Sequence, residues 1–207
     1  MKLLRAAEQV FGDKGYEDAS IAEICRTADA ALGSFYVYFP DKKAAFVELV
    51  DLLGHRLRRE LAEAVEAQPN RIEKERAGLL AFFRFLAEHK KLYRIIRQAE
   101  FVDEAAYRRY YDRLASGYVA GLRDAMKRGE IRESDAEITS YCLMGIGDFL
   151  GMRWMLWEDA GPKTAKRLAD AAIDLVTNGL SAAYPAPAEA KGPTKTRASA
   201  RPRRSSS

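Results

Sequence analysis

The chain has 207 residues, 48% of them hydrophobic and 31% charged, with a formal net charge of +4, a composition typical of soluble proteins and long enough for one large or two small domains. No apolar run approaches the ~20 residues needed to cross a bilayer and no signal-peptide pattern opens the sequence, so a cytoplasmic protein without a membrane partner is expected. Cys25 and Cys142 lack a C-x-x-C partner and are expected as reduced thiols in or near the core, and His55 and His89 lie too far apart for a helix-borne pair, so neither a metal nor a cofactor is expected.

In chain order, almost every segment reads as helix. Over residues 2–14 the positions Leu3, Leu4, Ala7, Val10 and Phe11 follow three-four spacing, and Gly15 supplies a stop. Ser20 and Glu23 form a capping box ahead of the short helix IAEICRTA. A turn at Asp29 leads to a second short helix, residues 31–38. Asp41 can cap a long helix to about Ala67, whose stripe is Phe46, Leu49, Leu53, Leu57, Leu61 and Val65, and Pro69 ends it.

Helices are predicted next over residues 71–88 and 91–101. Asp103 then opens one with Tyr107, Tyr110, Tyr111, Leu114, Tyr118, Leu122 and Met126 on one side, stopped by Gly129. Two more, over residues 135–158 and from Pro162 to about Ala183, complete an all-α chain of nine helices, since no stretch alternates as a strand would.

The basic charge is concentrated at one end. Residues 185–207 hold Lys191, Lys195, Arg197, Arg201, Arg203 and Arg204 against Glu189, a net +5 that leaves residues 1–184 at −1. This segment, PAPAEAKGPTKTRASARPRRSSS, reads as a disordered basic tail that either adds salt-sensitive DNA affinity or has no role.

The segment FYVYF, residues 35–39, packs four rings into five positions. On a helical wheel Phe35 and Phe39 share one apolar face with Ala31 and Tyr38, whereas Gly33, Tyr36 and Val37 point the other way. A short capped helix, a tight turn and a second short helix with an outward tyrosine have the layout of a helix-turn-helix. An idle three-helix subdomain would look the same on the wheel.

The stretch LLRAAEQVFGDKGYEDASIAEICRTADAALGSFYVYFPDKKAAF closely resembles the DNA-binding domain of TetR-type bacterial transcriptional regulators. The resemblance covers residue 3 to about residue 50, in register across four helices. It implies a DNA-binding domain over 1–46, a ligand-binding and dimerisation domain over 47–184, a homodimer on a two-fold pseudo-palindromic double-stranded DNA operator, and a small-molecule effector. Carried over by position, Tyr36 and Lys42 match residues that grip phosphates, and Ser20 can join them through its hydroxyl. Leu32, Gly33, Ser34, Val37 and Tyr38 match positions that approach bases or backbone.

Three features depart from the family pattern. Asp29 replaces the usual turn glycine, and either adopts the left-handed conformation or caps the next helix. Leu32 and Val37 can meet a thymine methyl but make no bidentate bond to a base. No basic arm precedes Lys2, so the minor-groove contact is absent or the native start lies upstream.

Rings are dense beyond residue 80, and core packing is their plainest explanation. A ligand pocket is the alternative, with Phe82, Tyr93, Arg94, Arg97, Phe101, Tyr107, Tyr111, Phe149 and Trp154 as candidates and Arg108, Arg109 and Arg113 as further anchors. Rings with arginines suit an acyl-CoA or an aromatic acid. GIGDFLG, residues 145–151, lacks the strand and Lys-Ser/Thr ending of a phosphate loop. Its Gly147 and Gly151, with Leu175 and Gly179 in the last helix, instead suggest close helix approach at a four-helix dimer interface.

The function expected is a DNA-binding repressor released by an apolar, acyl or aromatic ligand, with no catalysis. An activator of the same fold is the alternative. A small helical enzyme using Glu100, Asp103, Glu104 or the tyrosines near Arg108 is disfavoured, because no nucleophile has a base beside it.

Overall fold

The computed structural model describes residues 2–158 and 160–180. Over them the chain is all-α: α1 (Lys2–Lys14), α2 (Ile21–Thr27), α3 (Leu32–Tyr38), α4 (Lys42–Glu66), α5 (Arg71–Glu88), α6 (Lys90–Val102), α7 (Glu104–Lys127), α8 (Ala136–Leu150), a π-helical segment (Gly151–Trp157) and α9 (Pro162–Asn178). The segment predicted to form the basic tail lies outside the described residues, as do residues 181–183 of the predicted last helix.

Helix starts follow local chemistry. Asp41 Oδ1 accepts from the Ala44 N–H at 2.7 Å, Asn70 from Glu73 at 3.0 Å, Asp103 from Ala106 at 2.7 Å, and Asp135 from Ile138 at 3.0 Å. Gly15 and Gly129 leave their helices at positive φ, +86° and +69°. Gly179, at +69°, does the same for α9, which ends at Asn178. The helix predicted over 135–158 changes character at Gly151, where the π-helical turns begin.

Two buried clusters dominate. The first gathers Phe11, Ile24, Phe35, Phe46 and Leu49 with Leu92, Ile95 and Ala99 of α6 and Ala106 and Tyr110 of α7. The boundary read at residues 46/47 thus falls inside α4, and burial runs across it. The second joins Leu79, Phe83 and Leu86 of α5 to Met155 and to Leu168, Ala169 and Ile173 of α9. Polar ties reinforce the first seam: the Tyr16 N–H donates to Gln98 Oε1 at 2.6 Å, Lys91 pairs with Asp13 at 2.6 Å and Lys43 with Asp103 at 2.9 Å. Cys25 is buried, but Cys142 is exposed on α8, a correction to its expected core position.

Candidate functional site: an operator-facing helix and an apolar cavity

Ser20 caps α2, its Oγ accepting from the Glu23 N–H at 3.2 Å. The reciprocal half of the capping box is absent, because Glu23 pairs with Lys14 at 2.6 Å. Asp29 takes φ 49°, the left-handed conformation, and does not cap α3, whose N-cap is Ala31 with no side-chain bond. That turn sets α3 across α2 with Phe35 fully buried beneath it.

The outward face of α3 is uncharged and open. Leu32 and Gly33 are exposed, Ser34 is half-buried, and Tyr36, Tyr38 and Val37 are 54%, 70% and 78% exposed. Tyr38 and Ala31 therefore leave the apolar face that the wheel gave them. A seven-residue helix on one neighbour has room to bury Phe35 fully and Phe39 partly, and no more.

Lys42 opens α4 beside this surface. Its ammonium donates to the carbonyl oxygens of Tyr16 at 2.8 Å, Glu17 at 3.2 Å and Ala19 at 3.0 Å, and sits 4.4 Å from the Tyr16 ring centre. All three donors are engaged, so a phosphate reaches Lys42 only by displacing a carbonyl.

Behind these helices a cavity of about 400 Å³ lies among α4, α5, α7 and α8. Its surface is mostly apolar, from Leu61 and Val65 of α4, Leu79 and Phe82 of α5, Leu114 of α7 and Leu143 of α8. Two of the polar sets on its wall are closed on themselves. Glu75, itself buried, accepts from the Arg71 guanidinium and from the Tyr118 hydroxyl at 2.8 Å, with Arg71 lying over the Tyr118 ring. Asp148 accepts from the Tyr93 hydroxyl and faces Arg97 at 3.8 Å. Burial, then the bond to Asp148, pushes the Tyr93 phenol well above its usual range.

Of the residues read as pocket candidates, Phe82 and Tyr111 line this cavity. Tyr93 and Arg97 reach its wall through Asp148, and Tyr107 stacks edge-on against Tyr111 at 5.0 Å. The others need correction. Phe101 is 88% and Phe149 67% exposed, and Arg94 is also exposed, because each occupies the outer side of an amphipathic helix. Trp154 packs against the second buried cluster under Arg153. Sequence reading passed over Arg58, Arg71 and Glu75. The i, i+4 spacing of Arg71 and Glu75 reads as a surface pair, and Tyr118 on the tyrosine stripe was the one hint that a partner waited inside.

Gly147 and Gly151 also need correction. Both are buried against α5 of their own chain: a Cβ at Gly147 would lie 3.3 Å from Leu79, and one at Gly151 would overlap Leu86. The close approach they permit is intrachain. Gly179 has nothing within 4 Å of an added Cβ and serves to end α9. The outer side of α8 instead carries exposed Ile138, Tyr141 and Phe149, and α9 exposes Leu175 and Val176.

Comparison with known proteins agrees with this geometry. The chain is 31% identical over 185 residues to the HTH-type transcriptional regulator YdgC of Bacillus subtilis, covering 86% of this chain and 91% of that protein. It is 23% identical over 187 residues to the fatty acid metabolism regulator protein of the same organism, covering 87% and 94%. Its fold is similar to that of the transcriptional regulator FadR from Bacillus subtilis, solved in complex with stearoyl-CoA, with a TM-score of 0.75, 21% identity, and 87% and 99% coverage. Residues 3–49 match the family described as bacterial regulatory proteins, tetR family. The exposed short helix α3, the helical body behind it and these likenesses together make the chain a member of the TetR family of helix-turn-helix transcriptional regulators.

Proposed function

We propose that the protein is a repressor that holds a two-fold pseudo-palindromic operator as a homodimer and lets go when an apolar, acyl or aromatic ligand fills the cavity. The observation that carries this reading is the shared helix: α4 begins at the operator-facing surface with Lys42 and supplies Arg58, Leu61, Ala62 and Val65 to the cavity wall. Tyr36, Ser20 and Lys42 grip phosphates, and Leu32, Val37 and Tyr38 meet base edges and sugar, an apolar reading that favours thymine methyl groups. Exposed Ile138, Tyr141 and Phe149 of α8, with Leu175 and Val176 of α9, form the dimer face. Because a regulator of this fold has been solved with stearoyl-CoA, an acyl chain is the first ligand to test.

The release mechanism needs only a differential. A ligand favouring the non-binding spacing by ~5.5 kcal/mol inverts a 1:99 equilibrium to 99:1. The test is footprinting on the DNA flanking the gene, with Tyr36→Phe as the probe of the reading helix. Protection of two half-sites, weakened about 3–10-fold for all sequences in Tyr36→Phe at unchanged melting temperature, supports the reading. Absence of any protected palindrome refutes it. A fall of the regulated transcript on deleting the gene, where a rise is expected, would assign activation.

A further inference from the structure

The charged groups on the cavity wall do not balance. Glu75 is satisfied by Arg71 and Tyr118, and Asp148 by Tyr93 and Arg97. Arg113 reaches Asp51 at 2.7 Å, a carboxylate that Arg109 also approaches at 3.4 Å. Lys74 has Glu130 within electrostatic reach.

Arg58 and Lys74 both lack a side-chain hydrogen bond or ion pair to any described residue, and Arg58 differs in having a second cation, Arg113, beside it. Arg58 lines the cavity half-buried, and Asp51, the carboxylate within its electrostatic reach, is already held by Arg113 at 2.7 Å. The Arg58 guanidinium lies over Gly54 of its own helix, where an added Cβ would stand 3.1 Å from Nη1 and 2.9 Å from the Tyr110 ring. Burial, then the nearby cation Arg113, holds its pKa below the ordinary range, an effect that Tyr110 and Asp51 offset only in part. A buried cation without a partner is unfavourable unless something else completes it.

We propose that Arg58, with Arg113 beside it, receives the anionic head of a single-chain amphiphile whose apolar chain fills the cavity toward Leu79, Phe82 and Leu143. The inference rests on the cavity being the effector site, and it fixes which end of the ligand is charged and where that charge sits. The arginines are those of α4 and α7, in place of Arg94 and Arg97 of α6. Arg113 is 47% exposed, so this end opens toward solvent and accommodates either a free carboxylate or the phosphates of a larger carrier.

The test uses the full chain and probes of one chain length: dodecanoate, dodecanoyl-CoA, dodecanol and dodecyltrimethylammonium. Each is titrated calorimetrically into wild type, Arg58→Met, Arg94→Met and the cavity-filling Met144→Trp. Gly117→Leu is a second blocker should the first fail to fold, since a Cβ at Gly117 meets nothing within 4 Å. Wild type should bind an anionic probe at least about tenfold more tightly than dodecanol. Arg58→Met should lose that preference while keeping its affinity for dodecanol and its melting temperature. Arg94→Met, which removes an exposed α6 cation outside the cavity, should behave as wild type, and the blockers should lose every probe.

Whichever of dodecanoate and dodecanoyl-CoA shows the larger loss in Arg58→Met is assigned as the source of the anion. The anchor is overturned, with the cavity intact, by any of three results. These are equal or tighter binding of dodecanol or the ammonium probe by wild type, a preference retained in Arg58→Met, or one abolished by Arg94→Met. If a folded blocker binds dodecanoate as wild type does, or wild type binds no probe, the effector-site reading itself falls and the anchor with it.

Discussion

Lys42 Nζ donates to the carbonyl oxygen of Tyr16 at 2.8 Å and lies 4.4 Å from the centre of the same residue's ring. One side chain at the start of α4 thus fixes the loop that orients α2. Lys42→Met should cost about 1.5–3 kcal/mol, the scale of hydrogen bonds to a charged group, or about 3–12 °C in melting temperature for a chain of this size. The slope of log affinity against log salt for operator DNA should also flatten by about one. A lowered melting temperature with an unchanged slope would leave Lys42 as a tie within the protein and remove it from the phosphate contacts.

Gly151→Ala should destabilise the protein without changing its oligomeric state. The new Cβ would overlap Leu86, which is 1% exposed and has nowhere to turn. Overpacking of this kind costs about 1–3 kcal/mol. Melting curves and light scattering on the same sample separate this from a dimer defect, and a folded monomer would restore Gly151 to the interface.

Phe149→Glu should do the opposite. The ring is mostly exposed on the outer side of α8, in line with Ile138 and Tyr141, so a charge there disturbs no intrachain packing. Sedimentation should show monomers at concentrations where wild type is dimeric, with the helical signal intact. A dimer as tight as wild type would place the interface elsewhere.

Asp103 gives the molecule an acid-sensitive joint. The bond from Lys43 and the Ala106 N–H hold its carboxyl below the usual carboxylate range. A depressed folded-state pKa means stability that is present above the ordinary value of ~3.9 and is lost as pH falls through the lower folded value. Asp103→Asn keeps a capping oxygen for α7 but cannot titrate, so its melting temperature should fall less steeply below roughly pH 4 than that of wild type. Parallel curves for the two proteins would show that the Lys43 pair is too solvated to matter.

The helix-turn-helix was legible because its signals are local. Ser20, Asp29 and Asp41 act within three residues of themselves, and Phe11, Phe35 and Phe46 sit at spacings that admit one buried face. The cavity was not legible for the opposite reason. Ring density located the helices around the cavity but not their inward sides, so Phe101 and Phe149 were misassigned, Leu114 was read only as part of a helix stripe, and Leu143 went unremarked. Arg58 falls outside the apolar stripe of α4 and reads as a solvated position. Only the packing of α7 across that second side of α4 brings it into the cavity.

The buried cluster that joins Phe11 and Phe46 to Ile95 and Ala99 ties the N-terminal helices to α6. A fragment ending at residue 46 would leave α1 without Ile95 and Ala99 of α6 and expose that surface to water. The N-terminal helices and α6 are therefore expected to unfold together. Under the proposed function, a ligand in the cavity should by mass action raise the temperature at which α3 unfolds, even as it releases the operator.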